Sequence, residues 1–173
     1  MNGPINESLW YRVDASQYGS DGFVDRASAG SSNVTGSLLW RPGPRADLRF
    51  SVDYLDDDLG SYFGTPLLPS SAVIDPLDVI TTTTGEGLDA RTRFLNYNVD
   101  NPVNDSNQLL LRADVELRLT EEVSLRNTLY GFNAERHWQN AEGYAYCTAV
   151  VDVCTSVGEV QRYYGYFFVD HDQ

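Results

Sequence analysis

The chain has 173 residues, room for one domain or part of one. Twelve basic residues, all Arg, against 25 acids give a net charge of −13, which excludes the clustered basic surface that a nucleic-acid partner requires. Apolar residues make up 42%, which argues against wholesale disorder, and no stretch approaches the roughly 20 apolar residues of a membrane-spanning helix.

The opening Met1-Asn-Gly-Pro-Ile-Asn6 has no basic start and no apolar core, so no signal peptide is expected in it. From there the chain shows period two rather than helical periodicity. Ser8–Ser16 sets Leu9, Tyr11, Val13 and Ala15 against Trp10, Arg12, Asp14 and Ser16. Asn33–Arg41 sets Val34, Gly36, Leu38 and Trp40 against Asn33, Thr35, Ser37, Leu39 and Arg41. Asp47–Leu55 is cleaner, with Leu48, Phe50, Val52 and Tyr54 on one side. Gln108–Leu119 is cleanest, with Leu109, Leu111, Ala113, Val115, Leu117 and Leu119 opposite Gln108, Leu110, Arg112, Asp114, Glu116 and Arg118. Val123–Ala134 begins with Val123, Leu125 and Leu129 on one face, but Tyr130 and Phe132 fall on the other. Glu159–Asp170 is aromatic on both faces, so its orientation stays open. Side chains alternate across a strand, so these are six strands with one apolar and one charged face.

The connections run long, short, long, short, long. Tight links at Pro42–Ala46 and Thr120–Glu122 alternate with Gln17–Ser32, Asp56–Asn107 and Glu135–Gly158. A soluble antiparallel sheet with one wet face also alternates. Yet a connection of about 50 residues is uncommon in a compact soluble domain. Short turns on one rim and long loops on the other are the asymmetry of transmembrane β-barrels. Tyr11, Trp40 and Tyr54 near the strand ends suit an aromatic girdle. The expected fold is therefore all-β: an antiparallel meander of about six long strands, part of a transmembrane β-barrel, with long extracellular loops. Leu48, Phe50, Val52, Leu109, Leu111, Val115 and Leu117 should share the convex face, with Arg49, Asp53, Arg112, Asp114, Glu116 and Arg118 on the concave one. The sheet should be open, since the smallest bacterial barrels have about 8 strands.

Several stretches resemble bacterial TonB-dependent siderophore receptors. Asn2-Gly-Pro-Ile-Asn-Glu-Ser-Leu9 resembles the turn after an early barrel strand. Tyr11-Arg-Val-Asp-Ala-Ser16 with Ser20-Asp-Gly-Phe-Val-Asp25 resembles the next strand and its outer loop. Asp53-Tyr-Leu-Asp-Asp-Asp58 with Tyr62-Phe-Gly-Thr-Pro66 resembles the following strand and loop. Ser124-Leu-Arg-Asn-Thr-Leu-Tyr130 with Arg136-His-Trp-Gln-Asn140 resembles a later strand leaving for the outside. The resemblance covers nearly the whole chain, in family order. It implies an importer in the outer membrane of a Gram-negative cell that takes up ferric siderophores, with lipid against the wall and no cofactor of its own. It also implies that residues 1–173 are an early part of the barrel, without the plug, the segment that meets TonB, or the C-terminal strands.

Under that resemblance the loop Asp56–Asn107, with nine acids and two Arg, covers the ligand. Tyr62, Phe63, Arg91, Arg93 and Tyr97 are its candidate contacts, since aromatics offer flat surface and Arg offers charge. Arg136 and Trp138 are further candidates where a strand leaves the membrane, and membrane-interface anchoring is the competing role for Trp138. Arg12, Arg49, Arg112 and Arg118 should pair with neighbouring carboxylates or with the plug. Cys147 and Cys154, seven positions apart, form neither a disulfide scaffold nor a zinc site. In an oxidising compartment they are read as a loop disulfide rather than free thiols. No metal site is expected: Asp56-Asp-Asp58 lacks the Gly and closing Glu of a calcium loop. Enzyme signals are poor. Gly85-Glu-Gly-Leu-Asp-Ala90 fits a dinucleotide pattern without the βαβ setting it needs. His137 and His171 stand without a nucleophile elbow or a zinc-protease motif. The alternative function is a small soluble or surface-exposed β-domain that binds a partner through its long acidic loop.

Overall fold

The computed structural model describes residues 1–77 and 85–173. Asp78, one of the nine acids of the long loop, lies outside the described residues. The strands are β1 (Asn2–Asn6), β2 (Leu9–Ser20), β3 (Ala29–Gly43), β4 (Ala46–Asp58), β5 (Leu68–Pro69), β6 (Glu86–Gly87), β7 (Val103–Arg118), β8 (Ser124–Tyr146) and β9 (Val160–Asp172). A single 3-10 turn, Ser70–Ala72, is the one helical element among the described residues. Seven strands form one antiparallel sheet in the order β1-β2-β3-β4-β7-β8-β9, and β5 pairs with β6 inside the long loop.

The fold is thus an all-β meander built on six long strands, with one short strand added at its edge. Asn2–Asn6 resembles a turn in sequence but pairs with β2, from Asn2 opposite Arg12 to Asn6 opposite Leu9. Pro4 is tolerated there because an edge strand leaves one row of N–H positions unpaired. Within this chain β1 and β9 are not paired with each other, so the sheet is open.

The register explains the alternation. Leu9, Trp40, Leu48 and Val115 stand side by side across β2, β3, β4 and β7; so do Ala15, Val34, Tyr54 and Leu109. Directly opposed residues point to the same face. All seven Leu, Val and Phe residues expected together share one face, while Arg49, Asp53, Arg112, Asp114, Glu116 and Arg118 share the other. On the charged face the arginines have partners: Arg112 with Asp114 at 2.7 Å, Arg118 with Asp47 at 3.2 Å, Arg126 with Glu116 at 3.3 Å, and Arg12 with Asp14. Arg49 stands opposite Asp114 in the ladder.

The apolar face is uncovered. Leu111 is 51% exposed, Leu129 66% and Phe50 46%. The buried apolar side chains lie elsewhere: Val24, Ala27, Leu68, Val99, Ala141, Cys147 and Cys154, all in the loops or at the loop end of β8. The sheet is therefore a wall without its own core, and the packed region among the described residues sits among the long loops.

The strands outrun their sequence signal. β8 continues through Tyr146 rather than ending at Ala134, and β3 begins at Ala29 rather than Asn33. Beyond the apolar stretch both faces are polar, so period two disappears although the ladder continues.

Backbone pairing on both sides should slow exchange in β4 and β7, whereas β1 holds one short ladder. Hydrogen exchange by mass spectrometry should find amides of Leu48–Tyr54 and Leu109–Val115 the slowest and those of Asn2–Asn6 among the fastest.

Candidate functional site

Three loops meet at the rim away from the tight turns: residues 21–28, residues 59–102 and residues 147–159. The first is shaped by Gly22, at φ +76, where an added Cβ would lie 2.4 Å from the Ala27 carbonyl oxygen. A left-handed turn packed that closely admits only glycine. Backbone bonds tie the loops together. Asp25 N–H donates to the Phe94 carbonyl at 2.9 Å, and Leu59 N–H to the Asn104 carbonyl at 3.0 Å. Cys147 and Cys154 are disulfide-bonded with Cα atoms 5.6 Å apart, which closes the third loop upon itself.

The centre of this assembly is polar. Asn98 is fully buried. Its Nδ2 donates to the Ser61 carbonyl at 2.6 Å and to Asn140 Oδ1. Its Oδ1 accepts from Val99 N–H and Ala141 N–H, each at 2.8 Å. The Ala141 amide needs that acceptor because it points toward β7, whose ladder with β8 ends two residues earlier at Val103 opposite Gln139. Asn96 extends the network, reaching the Arg26 and Ser61 carbonyls at 3.2 Å each. One asparagine thus joins the long loop, its own first turn and the wall of β8.

A second hub holds the far part of the long loop. Asp89, 1% exposed, accepts from Ile74 N–H at 2.9 Å, Arg91 N–H at 3.0 Å, and Arg91 Nε and Nη2 at 2.9 and 2.8 Å. These donors, Arg91 first, hold its carboxyl well below the usual carboxylate range and raise the Arg91 guanidinium.

The candidate contacts divide accordingly. Arg91 is committed to Asp89 and serves the loop's structure. Arg93 lies over its neighbour Phe94, 4.3 Å from the ring centroid. Tyr62 packs edge-on against Phe23 at 5.2 Å and shares a 2.8 Å hydrogen bond with Thr65. Phe63 and Tyr97 both meet Tyr144 edge-on, at 5.8 and 6.2 Å. Arg136 and Trp138 lie on β8, where Trp138 stacks on Phe167 at 4.9 Å and Arg136 sits 6.0 Å from the same ring. By register Trp138 shares the face of Arg112 and Asp114, not the apolar face. A role as a lipid-interface anchor therefore does not fit Trp138.

The structure gathers Tyr97 with two arginines that sequence reading passed over. A cleft of about 300 Å³ is lined by Asp25, Arg26, Asn96, Tyr97 and Arg162 among others. Arg26 donates to the Asn96 carbonyl at 3.0 Å and Arg162 donates to the Asn98 carbonyl. No spacing links residues 26 and 162 in sequence. The one available signal was Arg162 among the aromatics of Glu159–Asp170, where the facing was unassigned. Among the described residues no group of three or more His, Cys, Asp or Glu is arranged to hold a metal ion.

Asn98→Ala should strand the Val99 amide and leave the Ala141 amide and the Ser61 carbonyl with one bond each, to Asn140 Oδ1 and from Asn96 Nδ2, at a cost of roughly 2–3 kcal/mol. Limited proteolysis should then cut within residues 59–102 while the β4–β7–β8 ladder stays protected. The pH response of the second hub follows from its sign. The folded-state pKa of Asp89 is lowered, so its contribution is complete above the unfolded value of about 3.9 and is lost only as pH falls through the folded value. Protease resistance of the segments Ile74–Leu77 and Gly85–Arg91 should persist below about pH 4, and Asp89→Asn should abolish that persistence.

No protein-family model matches this chain, and no curated protein matches it.

Proposed function

We propose that this chain supplies wall and ligand-facing outer loops to an outer-membrane β-barrel of the TonB-dependent receptor type, which takes up ferric siderophores. The observation that carries the reading is the uncovered apolar belt. From Leu109 to Leu117 it runs about 26 Å along the strand, or ~20 Å of height at a tilt of ~40°, close to the apolar band of about 25 Å on such barrels. The belt stops at one level across four strands, at Ala15, Val34, Tyr54 and Leu109. One step beyond it, on the same face, stand Gln17, Ser32, Asp56 and Asn107, side by side in the ladder. Trp40 lies toward the tight-turn border and Tyr54 at the loop border, as an aromatic girdle would have them.

The other features agree. Strands of 12 to 23 residues exceed the 3–10 usual in globular sheets and carry the loops well beyond the belt. The opposite face, with paired Arg and Asp/Glu, suits a wet or plugged lumen. The outer edges of β1 and β9 need neighbours, because unpaired N–H and C=O groups in hydrocarbon cost roughly several kcal/mol each. In such a receptor further barrel strands provide them, while the plug and its TonB contact are separate parts. The soluble-domain alternative requires a second layer over Phe50, Leu111 and Leu129, and no described element lies there.

The tryptophans allow a direct test. The full chain, reconstituted in vesicles containing brominated lipid, is compared in two single-tryptophan forms. With Trp10→Phe and Trp138→Phe, the remaining Trp40 should be strongly quenched. With Trp10→Phe and Trp40→Phe, the remaining Trp138 should not be. Unquenched Trp40, together with a sharp monomer peak and a cooperative thermal transition in detergent-free buffer, would overturn the membrane reading in favour of the soluble one.

A further inference from the structure

In a chain of net charge −13, the cleft beside Tyr97 brings two arginines to one point. Oδ1 of Asp100 lies 3.6 Å from Arg26 Nη1 and 3.8 Å from Arg162 Nη1. A single carboxylate oxygen thus sits between two guanidinium groups, at distances beyond a hydrogen bond to either. The Asp100 side chain is 87% exposed, so little holds it there. The arginines, by contrast, are held by hydrogen bonds that they donate to the Asn96 and Asn98 carbonyls. Arg26 keeps a left-handed backbone, φ +57, in doing so. A non-glycine residue held in that region carries strain that its surroundings maintain. The hydroxyl of Tyr144, the cross-strand partner of Arg162, is buried without a hydrogen-bond partner.

We propose that Arg26 and Arg162 form a clamp for a carboxylate of the bound ligand, and that Asp100 is a placeholder the ligand displaces. The iron-chelate identity of the ligand rests on the receptor reading above; the clamp adds that carboxylate-bearing chelates are preferred over neutral ones. The chemistry is that of the guanidinium fork, whose paired N–H donors match the two oxygens of a carboxylate. Displacement is cheap because an exposed, loosely set ion pair contributes little. Asp25 and Asp100 balance the two arginines in formal charge, so an anion enters only by replacing Asp100. That makes Asp100 a selectivity element rather than a bystander.

Isothermal titration of the full chain in detergent micelles tests this with four probes: citrate, ferric citrate, inorganic phosphate and a neutral ferric trihydroxamate. Ferric citrate should bind, and Asp100→Asn should tighten it about threefold by removing the competitor. Arg162→Gln should weaken it on the order of tenfold, with Arg162→Lys recovering part of the loss. Asp100→Asn disturbs no buried contact, so it remains decisive if Arg162→Gln loosens the loop. Citrate without iron following the same pattern supports the clamp as a reader of the carboxylate itself. Phosphate binding as tightly as citrate overturns the carboxylate assignment. Absent ferric citrate binding, or equal binding of the trihydroxamate with no response to Asp100→Asn, overturns the clamp and leaves the receptor reading intact. Clamp behaviour with an unquenched Trp40 does the reverse.

Discussion

Everything else in the molecule depends on the unbroken ladder between β4 and β7. It runs from Ala46 opposite Leu117 to Asp58 opposite Asp105 without a register shift. A slip of one residue would turn every side chain to the other face. The ladder therefore fixes both the belt and its charged reverse, and it does so between strands separated by the longest connection in the chain. Closing that connection costs little more than closing a shorter one, since the entropy grows only logarithmically with length. The bond from Leu59 N–H to the Asn104 carbonyl continues the pairing past the last ladder residues, so the loop leaves and returns at one spot. A long excursion is thereby converted into a cap on the rim.

That cap could not be held by apolar burial. Its buried apolar side chains are few and mostly small, and its central buried residues are Asn98 and Asp89. Each supplies what a loop backbone lacks, donors and acceptors in fixed directions. Buried polar groups cost heavily when unpaired, so a network in which each member is satisfied permits few alternative arrangements. The loops gain a defined shape from hydrogen-bond geometry, and their aromatic rings, Phe63 and Tyr97, can then meet Tyr144 of β8 edge-on without having to drive the assembly.

Sequence alone disclosed the wall wherever lipid-like contrast exists between its faces. Leu109 through Leu117 alternates cleanly because one side is apolar and the other charged. Glu135 to Tyr146 continues the same strand unseen, because polar and aromatic residues mix along it and alternation carries no contrast. The aromatics of β9, Tyr163 to Phe168, pair with Gly143 to His137, beyond the belt, which explains why they fall on both faces. Asn2–Asn6 was obscured by Gly3 and Pro4, turn residues in most settings but tolerable on an edge strand. In the loops, residue type suggested Arg91 and Arg93 as ligand contacts. Type cannot show that Asp89 consumes one and Phe94 lies under the other. Arg26 and Arg162 become neighbours only through the Asn98 network, which no local pattern encodes.

The distribution of charge follows the same logic from wall to rim. Along the belt from β2 to β8, the ionised groups stand on the reverse face, and most arginines there lie beside a carboxylate, so the wall's charged side is close to balanced. The surplus acid is displaced past the belt, onto Asp56, Asp58, Asp105 and Glu135 on the belt's own face and onto the loops. On the proposed membrane reading, moving those carboxylates into hydrocarbon would be costly, and the residue above Tyr54 would act as a stop that sets the depth of the sheet. An acidic rim also repels anions in general. Under the receptor reading proposed above, anionic chelates would need a local exception, and an arginine pair shielded by one displaceable carboxylate would meet that need without making the surrounding surface attractive to every anion.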